Sequence, residues 1–358
     1  MGKKVNRRKF RSDEATTVLR NDIISGVYKP GMFLPAERKL TEVLDISRGT
    51  VRAAIRSLQR EGLVRINPGR GAYVADTVGR KGLQRFIVFL GDNFAPIGRA
   101  TEGVGLLLGV CRQASKLNAE AIISFSRHDD IAQEVISRYA SGNIQGIIYS
   151  DCHDYKKYVA PLEKNSIPYA VGNLEFDNPS LAAKMDFRAV GRAAGRHLVE
   201  LGHRNIGMLS GPLDKFIYKE LLAGFRGALA EEEINLEHKI EVVSDIEDSR
   251  MASLRMLSAA NRPSAIFAAR DVRAAGCFLA CRELGLRIPD DLSVVGYDDI
   301  TWPEGRSVGL TTIREPIEEM GEATVDLLNE WLLTGKHPGD RIFTGNLVLR
   351  ASTKKIEN

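Results

Sequence analysis

The chain has 358 residues, 44% of them hydrophobic and 27% charged, with a net charge of +4. That length accommodates two or three domains with ordinary cores, and the composition excludes collagen-like, mucin-like and wholly disordered classes. No apolar run approaches the roughly 18 residues of a membrane span. Met1 to Arg11 is basic with no apolar stretch behind it, and four cysteines make no disulfide framework, so a cytoplasmic protein is expected.

The charge is unevenly placed. Residues 1–80 hold 17 Lys/Arg against 8 Asp/Glu, and the remainder holds 33 against 38. A basic module on a mildly acidic body points to a polyanionic partner for the N-terminal part. In chain order, a first helix is expected over 13–25, capped at Ser12 or Asp13, with Ala15, Val18, Leu19 and Ile23 as its apolar stripe. Gly26 stops it and Pro30-Gly31 turns the chain. Pro35 opens a second helix that turns Leu40, Val43 and Leu44 inward. Asp45-Ile46-Ser47 is a tight turn, and Ser47 caps a third helix that ends at Gly62.

That third helix carries the chemistry. At about 100° per residue, Val51, Ala54, Ile55 and Leu58 share one face, and Arg48, Arg52, Arg56 and Gln59 share the next. Gly49 and Thr50 keep the first turn small enough to approach a groove floor. Two short helices joined tightly, the second bearing arginine outward, fit a helix-turn-helix, and the arginine fork suits guanine or phosphate. Leu63–Ile66 and Ala72–Ala75 then read as strands joined by Asn67-Pro68-Gly69-Arg70-Gly71, a basic hairpin placed as a wing.

Leu34-Pro35-Ala36-Glu37-Arg38, Ile46-Ser47-Arg48-Gly49-Thr50-Val51-Arg52, Glu61-Gly62-Leu63-Val64 and Gly69-Arg70-Gly71 together resemble the GntR family of winged helix-turn-helix regulators. The resemblance spans 10–76. It implies that the positions of Arg38, Arg48, Thr50, Arg52 and Gly69 touch DNA, and that the protein binds an inverted-repeat operator as a homodimer. Gly49 stands where such regulators commonly have Thr, so one contact is lost there. The expected DNA-reading set is Arg38, Ser47, Arg48, Gly49, Thr50, Arg52, Arg56, Gly69 and Arg70.

Residues 77–84 read as a linker. From Arg85 onward strands and amphipathic helices alternate. Strands are expected at 85–90, 119–125, 145–150, 167–171, 204–209, 239–243, 264–269 and 292–297. Helices are expected near 101–117, 130–141, 154–164, 188–201, 217–231, 249–260 and 271–285. Such alternation implies parallel sheets covered by helices. The expected fold class is therefore α/β, a winged helix-turn-helix plus two doubly wound parallel subdomains with a cleft between them. The first subdomain is placed at about 85–177 and 311–337, the second at about 178–307 and 341–354.

His197-Leu198, Leu201-Gly202-His203-Arg204-Asn205-Ile206, Ser210-Gly211-Pro212, Ala223-Gly224-Phe225, the run Pro289 to Asp299, and Leu310-Thr311-Thr312-Ile313 resemble the effector domain of the LacI/GalR family over about 84–354. The resemblance implies a periplasmic-binding-protein-like fold and a small carbohydrate effector. A LacI-type helix-turn-helix and hinge helix are absent from the sequence.

Residues at strand ends give the expected effector site: Asn93, Phe94, Ser150, Asp151, Asn173, Phe216, Tyr218, Arg270, Asp271, Asp298 and Trp302. Amides and carboxylates bond hydroxyls, and flat rings stack on sugar C–H faces. Asp298 and Asp299 are adjacent, so they point apart and do not serve one reacting centre. Two departures bear on the ligand: relatives that bind sugars usually have Arg where Leu221 stands and Asn where Arg270 stands. A sugar acid or phosphorylated sugar is the corresponding expectation.

His203 reads as structural, as do Cys111, Cys152, Cys277 and Cys281; no catalytic, metal or cofactor site is expected. The leading reading is a transcription regulator, a repressor controlled by a carbohydrate-like effector. A GntR-headed enzyme and a solute-binding protein are the alternatives. Against them stand the missing P-loop, nucleophile elbow and His-x-x-x-His pair, and the added basic head.

Overall fold

The computed structural model describes residues 12–61, 63–75, 82–90, 99–124, 128–150, 155–172, 182–242, 246–300 and 309–356. They fall into two units, Met1–Gly82 with Asn329–His337, and Leu83–Leu328 with Pro338–Asn358.

The head is built from α1 (Ser12–Ile24), α2 (Glu37–Leu44), α3 (Arg48–Arg60) and the hairpin β1 (Val64–Asn67) and β2 (Gly71–Val74). Its core gathers Ala15, Leu19 and Ile23 of α1, Leu40 of α2, and Val51, Ala54, Ile55 and Leu58 of α3. All four apolar residues read from α3 are buried there. The α2–α3 turn works because Asp45 takes a left-handed conformation (φ 49°) and Ser47 caps α3, its Oγ accepting from the Thr50 amide at 3.1 Å. Val43 departs from expectation: it is 69% exposed, because Leu40 and Ile46 already fill the space beneath α2. Residues 31–34 add a third edge to the wing, with Leu34 donating to Ala72 and Val74 donating to Met32, each at 2.8 Å.

The body has two six-stranded sheets. The first takes β3 (Arg85–Leu90), β4 (Glu120–Ser124), β5 (Ile147–Ser150), β6 (Tyr169–Gly172), β7 (Ala182–Met185) and β13 (Arg341–Phe343), in the order β13-β7-β6-β5-β3-β4, all parallel. The second takes β8 (Ile206–Ser210), β9 (His238–Glu241), β10 (Ala265–Ala268), β11 (Ser293–Asp298), β12 (Thr311–Arg314) and β14 (Asn346–Val348), in the order β14-β12-β11-β10-β8-β9; only β14 runs antiparallel. The helices are α4 (Arg99–Lys116), α5 (His128–Ala140), α6 (Tyr155–Lys164), α7 (Phe187–Glu200), α8 (Phe216–Ala230), α9 (Ile246–Leu257), α10 (Asp271–Glu283) and α11 (Ile317–Thr334). Central strands are buried along their whole length, β5, β6, β8 and β10 without an exposed residue, as parallel strands covered on both faces must be.

Strand pairing redraws the expected subdomain limits. β7 and β13 belong to the first sheet and β12 to the second, so 311–314 and 341–343 exchange places relative to the sequence reading. The chain crosses between sheets three times, at Asp186, at Glu315-Pro316 and at Thr344-Gly345. The Asp186 amide donates to the Phe343 carbonyl at 2.8 Å, and a Cβ on Gly345 would sit 2.4 Å from Ile313, so the three crossings lie side by side. Each crossing is only one or two residues long. β7, β12, β13 and β14 lie outside the expected elements, since strands of three or four residues paired to distant segments carry little local signal; the 18-residue α11 was also not among the expected helices.

Candidate nucleic-acid interface and effector edge

On the head, Arg48, Gly49, Arg52, Arg56, Gly69 and Arg70 are exposed and Thr50 is half-buried. Arg48 to Arg56 follow one another on α3 with Ser47 at its N-cap, Arg38 is on α2, and Gly69-Arg70 form the hairpin tip. The tip needs its glycines: Gly69 and Gly71 have φ of 81° and 109°, with nothing within 4 Å of either Cβ position. Among the described residues Arg48, Arg56 and Arg70 make no ion pair. Arg52 differs. Its Nε lies 3.1 and 2.9 Å from the two carboxylate oxygens of Glu37 on α2, so its guanidinium is held across the two helices. Arg38 bonds Glu42 at 3.3 Å. Glu37 was not singled out from the sequence, although it sits one residue before Arg38.

In the body the strand order reverses beside β3 and beside β8, which places crevices at the carboxyl ends of β3 and β5 and of β8 and β10. Of the expected effector residues, Asn93, Phe94, Asp151, Asn173 and Trp302 lie outside the described residues. Ser150 ends β5 and is buried. Phe216 starts α8 and packs edge-on to Phe187 at 6.4 Å. Tyr218 is 8% exposed, seated on Gly211, where a Cβ would come within 2.2 Å of the ring.

Arg270 and Asp298 meet at 3.4 Å, both nearly buried. Asp299 turns the other way, to Arg314 at 2.6 Å and Arg350 at 2.7 Å. Both carboxylates stand at positive φ, 116° and 60°, so backbone strain is concentrated where β11 ends. Asp271 is fully buried. It accepts from the Thr312 hydroxyl at 2.7 Å and the Ile300 amide at 3.1 Å, and burial pushes its carboxyl up to about 7. Beside them, Tyr297 donates to Glu315 at the second crossing, and burial raises the tyrosine pKa further.

Arg273 was also missed. It is 2% exposed in the first turn of α10, over the Tyr218 ring at 4.7 Å. A lone arginine directly before the apolar run Ala274 to Cys281 was the available signal. His203 is buried, its Nδ1 2.9 Å from the Ser264 hydroxyl, and burial lowers its pKa. The Cys277 thiol is held protonated by its hydrogen bond to Cys281 and by burial. No helix among the described residues is long and apolar enough to cross a membrane.

A winged helix-turn-helix with an outward arginine face, joined to a two-sheet body, defines a two-module chain. Residues 11–74 match the bacterial regulatory proteins of the gntR family, and residues 196–353 match the periplasmic binding protein-like domain. The chain thus combines a GntR helix-turn-helix domain with a periplasmic-binding-protein-like domain. It is 32% identical over 214 residues to the HTH-type transcriptional repressor PurR of Klebsiella pneumoniae (strain 342), covering 58% of this chain and 62% of that protein. PurR of Salmonella newport (strain SL254) is 33% identical over the same length. The chain spans 62% of the length of these curated relatives. A regulatory protein of LacI family from Chloroflexus aggregans superposes with a TM-score of 0.64 at 26% identity, over 75% of this chain and 98% of that one. The cellobiose complex of the transcriptional regulator CelR shares the fold, with a TM-score of 0.64 at 22% identity, over 89% and 100% of the two chains.

Proposed function

We propose that this chain is a DNA-binding transcription regulator, a repressor, that reads an inverted-repeat operator as a homodimer. A small carbohydrate-like effector in the cleft between the two sheets sets its affinity. The observation that carries the reading is the exposed arginine face of α3 beside a glycine-tipped wing, on a chain whose body hinges at three adjacent crossings. Effector closure about those crossings would move the heads. The coupling equals the difference in effector affinity of the two states, about 1–3 kcal/mol. The reading assigns no catalytic role to the body.

Binding to operator fragments selected from random DNA tests it. About six phosphate contacts across a dimer give a log–log salt slope near −5. Arg52→Ala is expected to weaken binding by about 1–3 kcal/mol or to relax base preference, with the melting temperature nearly unchanged because the Arg52–Glu37 pair is exposed. Unchanged affinity and slope would overturn the assignment of α3.

A further inference from the structure

Arginine is almost never buried without a partner, yet Arg273 is 2% exposed and, among the described residues, no carboxylate lies within ion-pairing distance of it. Its guanidinium reaches back from the first turn of α10 to two main-chain carbonyls at the carboxyl edge of the second sheet. It donates to Ala269 at 3.3 Å and to Val242 at 3.2 Å, both long contacts to neutral acceptors. Nε is buried and unbonded. One side of the group is covered by the Tyr218 ring at 4.7 Å, and that ring is itself seated on Gly211, directly after β8.

The helix end makes this placement more costly. The N-terminus of α10 has no side-chain cap, and Arg270 stands at the cap position, so two cations face the positive end of the helix dipole. The neighbouring carboxylates are committed elsewhere. Asp298 lies against Arg270, Asp299 binds Arg314 and Arg350, and Asp271 gives its oxygens to Thr312 and Ile300. Helix dipole, desolvation and the orphaned Nε all favour an anion here, and the carbonyl ends of β9 and β10 put it on the edge that also holds Asp298.

We propose that Arg273, backed by Tyr218, is the residue that reads an oxyanion on the effector, a carboxylate or phosphate group on a polyhydroxylated carbon chain. The inference rests on the effector reading of the cleft. It moves anion recognition away from Arg270, whose charge is matched by Asp298, to Arg273. The planar fork of an arginine suits either oxyanion.

The test uses the full chain with glucose, gluconate, glucose 6-phosphate, inorganic phosphate and sulfate, by calorimetry and thermal melting against chloride of equal ionic strength. Wild type is expected to bind oxyanions better than glucose, with gluconate and glucose 6-phosphate separating carboxylate from phosphate preference. Arg273→Met is expected to weaken that binding by about 10- to 100-fold. Without ligand it should melt no lower than wild type, because a buried unmatched charge has been removed. General salting effects of sulfate act on both proteins alike and cancel. Equal oxyanion responses in wild type and Arg273→Met would overturn the proposal. So would a lower melting temperature of Arg273→Met with its anion response intact, which would make Arg273 a tie for Val242. Glucose binding without any oxyanion response would overturn it while leaving the effector cleft standing, and no binding of any probe would remove both. If Arg273→Met does not fold, Arg273→Lys replaces it. That variant keeps the charge but loses the fork, and unchanged oxyanion affinity there would equally count against the assignment.

Discussion

On α3 of the head, Arg48 and Arg56 stand in solvent and the first-turn glycine, Gly49, has only Ser47 Oγ near its Cβ position, at 3.7 Å. In the body, Arg270 and Arg273 are 8% and 2% exposed, and a Cβ on Gly224 would lie 1.9 Å from the Arg188 carbonyl. The same residue types serve opposite ends. The head turns arginine and glycine outward, into solvent. The body uses glycine to let α7 and α8 touch backbone to backbone, and arginine to charge an interior edge. A substitution in the head should therefore change binding more than stability, and the reverse should hold at the helix crossings of the body.

Gly224→Ala is the strongest way to break this contrast. The added methyl meets main-chain atoms that cannot swing aside, so a loss of about 3 kcal/mol or more is expected in urea denaturation. A loss below about 1 kcal/mol would mean that α7 and α8 slide apart easily. Next in size is the pH dependence set by Asp271. Its carboxyl is raised from 3.8 to about 7, so between those values the native state holds a proton that the unfolded chain has released. This contribution makes stability fall as pH rises from about 4 to about 7, then level off. Burial lowers the pKa of His197 and His203 below 6.5, so their contribution has the opposite sign and is lost as pH falls through 6.5. Melting curves of wild type and Asp271→Asn from pH 5 to 8 separate the two. The difference between the proteins is expected to grow with pH, with Asp271→Asn the more stable at pH 8.

Ser47→Ala sharpens the head side. Loss of the cap on α3 is expected to cost about 1 kcal/mol, read by thermal melting. Ser47→Asn restores a cap without adding charge, so a deficit in DNA affinity that persists in Ser47→Asn belongs to a DNA contact rather than to helix stability. The smallest effect is expected for Gly49→Ala, a gain of up to about 1 kcal/mol from helix propensity. Weaker DNA binding alongside that gain would place the first turn of α3 against the groove floor.

The head was legible because its signals are local. Periodicity of 3.6 residues sorted Val51, Ala54, Ile55 and Leu58 from the arginine face, and glycines at positive φ marked the wing tip. The α/β alternation of the body was equally plain in its apolar strands. The sequence did not reveal which sheet a short strand joins: β7 and β12 went to the sheets opposite to those expected, because register and partner depend on segments far apart in the chain. At the carboxyl edge of the second sheet it marked Arg270, Asp271 and Asp298 as strand-end residues but could not say which way each would turn. Only tertiary packing paired Arg270 with Asp298, sank Asp271 onto Thr312, and left Arg273 with a tyrosine ring and two carbonyls. Burial and charge matching are properties of the assembled neighbourhood, and local patterning records them only as residue types.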